Sequence, residues 1–252
     1  MNIIERGQKI ANYKFPWGRV TSALGITHSP KAIMRYPRFK TLAEVIKNIP
    51  EIEKKGTCLC VIARHGETDR SKRNLPSGGF DIPLNEEGEK QSLRLSQHLK
   101  PVPFERIYTS PLSRALFLAE AISNEKENVK IIKRVDLREM NQPEDTKSYW
   151  DVFRFKHMPH RFKVPPPYED FQKLKPRAEK GIKEIVEDNI GKVVIITGHM
   201  LINNIILMNA FGIHLSQFWS IPLQRPASFD VIEFDFTMKN NSLWLFHHSI
   251  EG

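Results

Sequence analysis

A three-layer α/β/α sandwich built on a mostly parallel sheet is the fold this sequence predicts. From residue 57 onward short apolar strands alternate with amphipathic helical segments, the signature of a sheet covered on both faces. One run, KVVIITG, is apolar almost throughout, as a strand buried on both sides must be. The length of 252 residues, 40% of them hydrophobic, is enough for one large domain with its own core.

Residues 1–56 stand apart as a basic N-terminal extension, in which TLAEVIKNI is the single credible helix among loop signals. The domain proper, residues 57–252, opens with TCLCVIARHG as its first strand and turn. Asn85 can cap a helix over EEGEKQSLRLSQHL, where Leu93, Leu95 and Leu99 recur near helical spacing. FERIYTS reads as the second strand, and Pro111 suits the first turn of a helix over SPLSRALFLAEAI. VKIIKRVDL is the third strand. YEDFQKLKPRAEKGIKEIVEDN is helical, with Pro176 as a kink or a break. KVVIITG, the fourth strand, leads into the helix MLINNIILMNAFG, which Gly212 stops, and FDVIEFDF and SLWLFHHS close the chain as edge strands. Residues 141–169 interrupt this rhythm with aromatic, basic and proline residues and are expected to form a lid-like insertion.

The formal net charge is +9; residues 1–56 hold eleven Lys/Arg and four Asp/Glu, a net of +7 that leaves +2 for the rest. These charges are scattered among Pro, Gly and aromatic residues rather than blocked, so a solvated surface is favoured over a nucleic-acid or membrane-binding arm. No apolar run approaches the roughly 20 residues that span a bilayer, and the N-terminus lacks the pattern of a secretory signal, so a cytoplasmic location is expected. Cys58 and Cys60 lie two apart in a strand, where a disulfide is geometrically poor and a zinc site lacks ligands. Both are expected to be inert buried thiols.

The chemistry concentrates at strand ends. ARHGET, residues 63–68, follows the first strand directly. Phosphoryl transfer without metal needs a nucleophile, fixed positive charge and a proton donor, and Arg64 and His65 supply the first two. Gly66 is expected to let the backbone turn tightly there. TSPLSRA follows the second strand and places Arg114 in the first turns of a helix, while TGHM ends the fourth strand with His199. Taken singly, Arg114 could be a surface ion pair and His199 a satisfied core histidine. Two histidines and two arginines, all at carboxyl ends of strands, point instead to one anion site. His247 and His248 read as strand residues, His98, His157, His160 and His214 share no spacing, and Asn240-Asn241-Ser242 reads as a turn.

In this order and spacing, RHGET, DIPLNEEG, YTSPLSRA and TGHM resemble the histidine phosphatase superfamily, in the branch with cofactor-dependent phosphoglycerate mutases and broad phosphomonoesterases. The resemblance covers roughly residues 57–250. It implies a phosphoglycerate mutase-like sandwich in which His65 becomes phosphorylated and Arg64, Arg114 and His199 grip the phosphoryl oxygens; for a hydrolase of this kind no cofactor is expected. It also places a proton-donating Glu after the third strand, where DLREM carries Glu139; Glu67 and Asp136 are rival carboxylates. The chain departs from the pattern at three points. Ser71 stands where the family commonly has Asn, NLPSGGF keeps only Gly78 of an Arg and Gln-Gly element, and Met200 follows the second histidine where Gly is favoured. Ser71 and Gly78 complete the expected substrate-binding set.

The mutases of this family carry His-Gly-Asn at the second histidine and Trp-Asn after the first motif, whereas this chain has His199-Met200-Leu201 and Arg70-Ser71. Hydrolysis of a small phosphorylated metabolite is therefore favoured over a mutase-type phosphotransferase, and the intact set Arg64, His65, Arg114, Glu139 and His199 argues against a non-catalytic phosphate-binding module. The expected partner is that small-molecule phosphate ester, with a second copy of the chain as a candidate homodimer partner and no membrane or nucleic acid. Within the insertion Tyr149, Trp150, Phe153, Phe155 and Phe162 interleave with Arg154, Lys156, His157, Arg161 and Lys163, a composition suited equally to covering a substrate and to packing the insertion onto the domain.

Overall fold

Seven consecutive buried residues, Cys58–Arg64, form the central strand β1. Their side chains alternate between two cores: Cys58, Cys60 and Ile62 enter one, and Leu59, Val61 and Ala63 the other. This strand organises a computed structural model that describes residues 37–142 and 169–249. Strands β2 (Arg106–Thr109), β3 (Lys130–Lys133), β4 (Val193–Gly198), β5 (Ser228–Phe234) and β6 (Ser242–Ser249) complete one six-stranded sheet in the order β3-β2-β4-β1-β5-β6. The pairs β3/β2, β2/β4 and β4/β1 are parallel, and β1/β5 and β5/β6 antiparallel.

Helices cover both faces. On one side lie α1 (Leu42–Asn48), α2 (Pro50–Lys55), α4 (Glu86–Leu99) and α5 (Ser113–Ser123), which bury Val45, Ile52, Leu95, Leu99, Leu118 and Ile122 against the sheet. On the other lie α6 (Phe171–Glu187) and α7 (Met200–Ala210). In α7 every residue except Asn209 is buried, as an apolar helix enclosed on all sides requires. The short helix α3 (Asp69–Lys72) follows β1. The expected three-layer sandwich is the fold observed.

Caps match the sequence where local chemistry decides them. Asn85 accepts the Gly88 N–H at 2.8 Å and starts α4, and Gly212, at φ +60°, ends α7 with the Ile213 N–H returning to Met208 O at 2.9 Å. The helix α6 runs unbroken through Pro176, because Leu174, Ala178, Ile182 and Ile185 bury one continuous stripe against the sheet. Pro111 lies ahead of the N-cap Leu112 rather than inside α5, and the Ser113 N–H is received by Asp81 Oδ1 at 2.7 Å.

Two strand expectations need correction. FDVIEFDF is not an edge strand: β5 pairs with β1 and β6 and is buried along all seven residues. The third strand stops at Lys133 instead of running on to Leu137. Arg134 folds back to bind the Asp136 carboxylate and also reaches Glu184, so Val135–Leu137 wind into a 3-10 turn that sinks Leu137 into the core. That turn delivers Glu139 to the end of the sheet.

Within the described part of the basic extension, the Arg38 and Phe39 N–H groups bond to Leu243 O and Trp244 O along β6, and α1 and α2 share the domain's core. Residues 1–36 and the aromatic and basic residues of the insertion, Tyr149 to Lys163, lie outside the described residues. Among the described residues no helix is long and apolar enough to cross a membrane.

Candidate active site

The parallel strands β1, β2 and β4 end at the same level, with Arg64 opposite Gly198 and Thr109 opposite Thr197. Their continuations stay locked together, since the His65 N–H bonds to Gly198 O and the Ser110 N–H to Thr197 O. A cavity opens there, lined by Arg64, His65, Ser71, Gly78, Arg114 and Glu139, together with Pro76, Ser77, Gln142, Met200 and Leu201. His199 sits behind Arg114 and is fully buried.

The turn that carries His65 rests directly on α4. A Cβ at Gly66 would stand 2.1 Å from Gly88 O, and one at Gly88 only 1.9 Å from Glu67 O. Gly66 is therefore required for close approach of two backbones rather than for the turn alone, and Gly88 is its unforeseen counterpart. Gly88→Ala should lower stability by roughly 3 kcal/mol, because neither backbone can yield without moving β1 or α4. A urea midpoint equal to that of the parent chain would contradict this contact.

The two ring nitrogens of His65 have different partners. Nδ1 lies 2.6 Å from Gly66 O and must donate to it, which leaves Nε2 with a free lone pair that accepts from Arg114 Nε–H at 3.2 Å. Burial, then the Arg114 and Arg64 charges, hold the imidazole well below its usual pKa, so it is neutral at physiological pH. His199 is lowered in the same way by burial and by Arg114. Its Nδ1 also accepts from Arg114 Nε–H at 3.2 Å, so its Nε2–H faces Ser110 Oγ at 2.8 Å. Arg114 Nη1 donates to Phe80 O at 2.6 Å and Nη2 to Gly78 O at 2.8 Å. The guanidinium is thus fixed between both histidines and the Gly78 loop.

Of the three carboxylates considered, Glu139 alone reaches the cavity. It accepts the N–H groups of Met140 at 2.8 Å and Leu201 at 3.0 Å, the latter at the start of α7. Burial raises its carboxyl above the ordinary Glu value even against these hydrogen bonds and the two arginine charges. Glu67 instead points toward α4, where Asn85 Nδ2 donates to it at 3.0 Å, and Asp136 is held by Arg134. Ser71 lines the cavity, but its hydroxyl donates to Thr68 O at 3.0 Å and accepts the Thr68 N–H at 2.8 Å, within a capping box. Gly78, at φ +54°, presents its carbonyl to Arg114.

Sequence reasoning missed several supports. Gln224 accepts from Arg64 at its carbonyl, while its side-chain amide spans Ile62 O, Asp230 and Asn203. Arg177 binds both Glu169 oxygens and the carbonyls of Asp136 and Arg138, pinning the loop before Glu139. Neither lies in a recognisable motif, and their roles exist only once distant segments meet. Among the described residues no three His, Cys, Asp or Glu side chains converge as a metal-holding group.

An α/β/α sandwich that closes its parallel strands on two neutral histidines, two arginines and a buried carboxyl defines a phosphoryl-transfer protein. Comparison with known proteins agrees. The model of the histidine phosphatase superfamily (branch 1) matches residues 60–244. The chain is 32% identical over 151 residues to the uncharacterized phosphatase PhoE of Bacillus subtilis (strain 168), spanning 57% of this chain and 72% of that one. It is 26% identical over 184 residues to phosphoserine phosphatase 1 of Hydrogenobacter thermophilus, spanning 69% and 86%. The solved structure of Bacillus stearothermophilus YhfR superposes with a TM-score of 0.66 at 25% identity, covering 75% of this chain and 96% of that one. The chain belongs to the histidine phosphatase superfamily.

Proposed function

We propose that the chain is a metal-independent phosphomonoesterase that passes the phosphoryl group of a small phosphorylated metabolite through His65 to water. One observation carries this reading: the unprotonated Nε2 of His65 shares a cavity with Arg64, Arg114 and a buried carboxyl of raised pKa. In the first step Nε2 bonds to phosphorus, the ester P–O bond breaks, and Glu139 gives its proton to the departing alkoxide. In the second, water attacks phosphorus, its proton goes to Glu139, and the N–P bond breaks to release inorganic phosphate. Arg64 and Arg114 neutralise the equatorial oxygens as charge builds, with His199 supporting Arg114 from behind.

A cytoplasmic location and a homodimer belong with this reading and rest on the sequence alone. The lid-like role of residues 141–169 belongs with it too, supported by the meeting of the segment's described ends beside the cavity, where the Glu169 N–H bonds to Asn141 O at 2.8 Å. Because the arginines supply the neutralising charge, turnover of p-nitrophenyl phosphate should be unchanged by excess EDTA. A loss of rate restored by a divalent ion would contradict the mechanism.

A further inference from the structure

Gln142 lines the cavity three residues beyond Glu139 and is 3% exposed, yet neither Nε2 nor Oε1 of its side chain has a hydrogen-bond partner. It is the only side chain among the described residues with two buried polar atoms left unmatched. A buried amide without partners is unfavourable, and such a group at the wall of a reaction cavity is accounted for when a ligand completes it. Gly78 faces it closely: a Cβ there would lie 3.3 Å from Gln142 Cβ. The same Gly78 offers its carbonyl to Arg114, so the residue against which Gln142 packs also holds the phosphoryl-binding guanidinium.

We propose that Gln142 is a specificity-determining residue that recognises neighbouring hydroxyl groups on the alcohol half of the substrate, which makes the preferred esters polyol or sugar phosphates. The proposal rests on the phosphomonoesterase reading and deepens it. Glu139 serves the leaving oxygen, and Gln142 lines the same cavity three residues further on, which in this proposal assigns its amide to the alcohol half of the ester. An amide presents a donor and an acceptor side by side. A carboxylate can match only the N–H, and an ammonium only the carbonyl, but a vicinal pair of hydroxyls completes both. Unmet, the same amide disfavours an alkyl chain placed against it, which is how a buried polar group discriminates against an analogue lacking its partner.

The test compares glycerol 1-phosphate with propyl phosphate, equal in carbon count and different in two hydroxyls. The parent chain should show at least a roughly tenfold higher kcat/KM for glycerol 1-phosphate. Gln142→Leu should reduce that ratio at least about tenfold, while its melting temperature stays level or rises, because the leucine removes two unmatched polar atoms at similar volume. A parent chain indifferent to the hydroxyls overturns the proposal. So does a variant that keeps the ratio and melts lower, which would make Gln142 a packing residue. If no ester is hydrolysed and no phosphoenzyme forms, the phosphatase reading fails instead, and the two esters are then compared by calorimetric affinity for parent and variant, with equal affinities again overturning the inference.

Discussion

His65→Ala should abolish ester hydrolysis and phosphoenzyme formation together, a loss of at least about 10⁴-fold in kcat. Among the described residues no other side chain at the cavity offers a lone pair in the same place: His199 is fully buried behind Arg114, with its Nδ1 facing that guanidinium and its Nε2 facing Ser110. The readout is incorporation of labelled phosphate that is labile to acid and stable to base, measured beside steady-state rates and a melting curve. Activity above a trace in a folded variant would remove His65 from the role. The pH dependence follows from the same surroundings. Because burial and two guanidinium groups lower the imidazole pKa, the acid limb of kcat/KM should lie below the usual histidine range.

Glu139→Gln should separate substrates by their leaving groups. The amide cannot protonate a departing alkoxide, so alkyl phosphates should lose about 10²- to 10⁴-fold. p-Nitrophenyl phosphate, whose phenolate departs without a proton, should lose far less in the first step and should accumulate phosphoenzyme, because water then lacks its base. The sign of the pH effect is opposite to that of His65. Glu139 works protonated, and burial raises its pKa, so the parent rate on alkyl esters falls as pH rises through that raised value. In the variant this alkaline limb should vanish. Equal losses on alkyl and aryl esters, with the limb intact, would assign proton donation elsewhere.

The sheet and its helices were legible because hydrophobic periodicity and capping are local. Asn85 and Gly212 announce a helix start and stop from their own chemistry. The site was legible for a different reason: a strand-end histidine and its arginine partners occupy short contiguous motifs that the resemblance identifies, and the cavity brings Arg64, His65, Arg114 and Glu139 to one place. What escaped notice is set by contacts between distant segments. The early end of β3 depends on Arg134 finding Asp136 and Glu184, and the interior position of β5 depends on strand order, which alternation of residues does not encode. Gly88 looks like an indifferent helix residue until the turn of Gly66 is laid on it. Gln142 and Gln224 are ordinary polar residues until both are buried, one with no partner and one with four.

The alternation of β1 has a practical side. Cys58 and Cys60 are the only two cysteines of the chain, and both point into the core beneath α6 and α7, fully buried, with their sulfurs 3.8 Å apart. Burial also pushes the Cys60 thiol up, away from the reactive thiolate. The folded chain thus shows solvent no nucleophilic sulfur. A cysteine placed on any exposed helix would be the sole site for a fluorophore or spin label, with no native thiol to delete first. In the unmodified chain, uptake of a thiol reagent becomes a count of opened molecules: each one that reacts has parted the central strand from its covering helices.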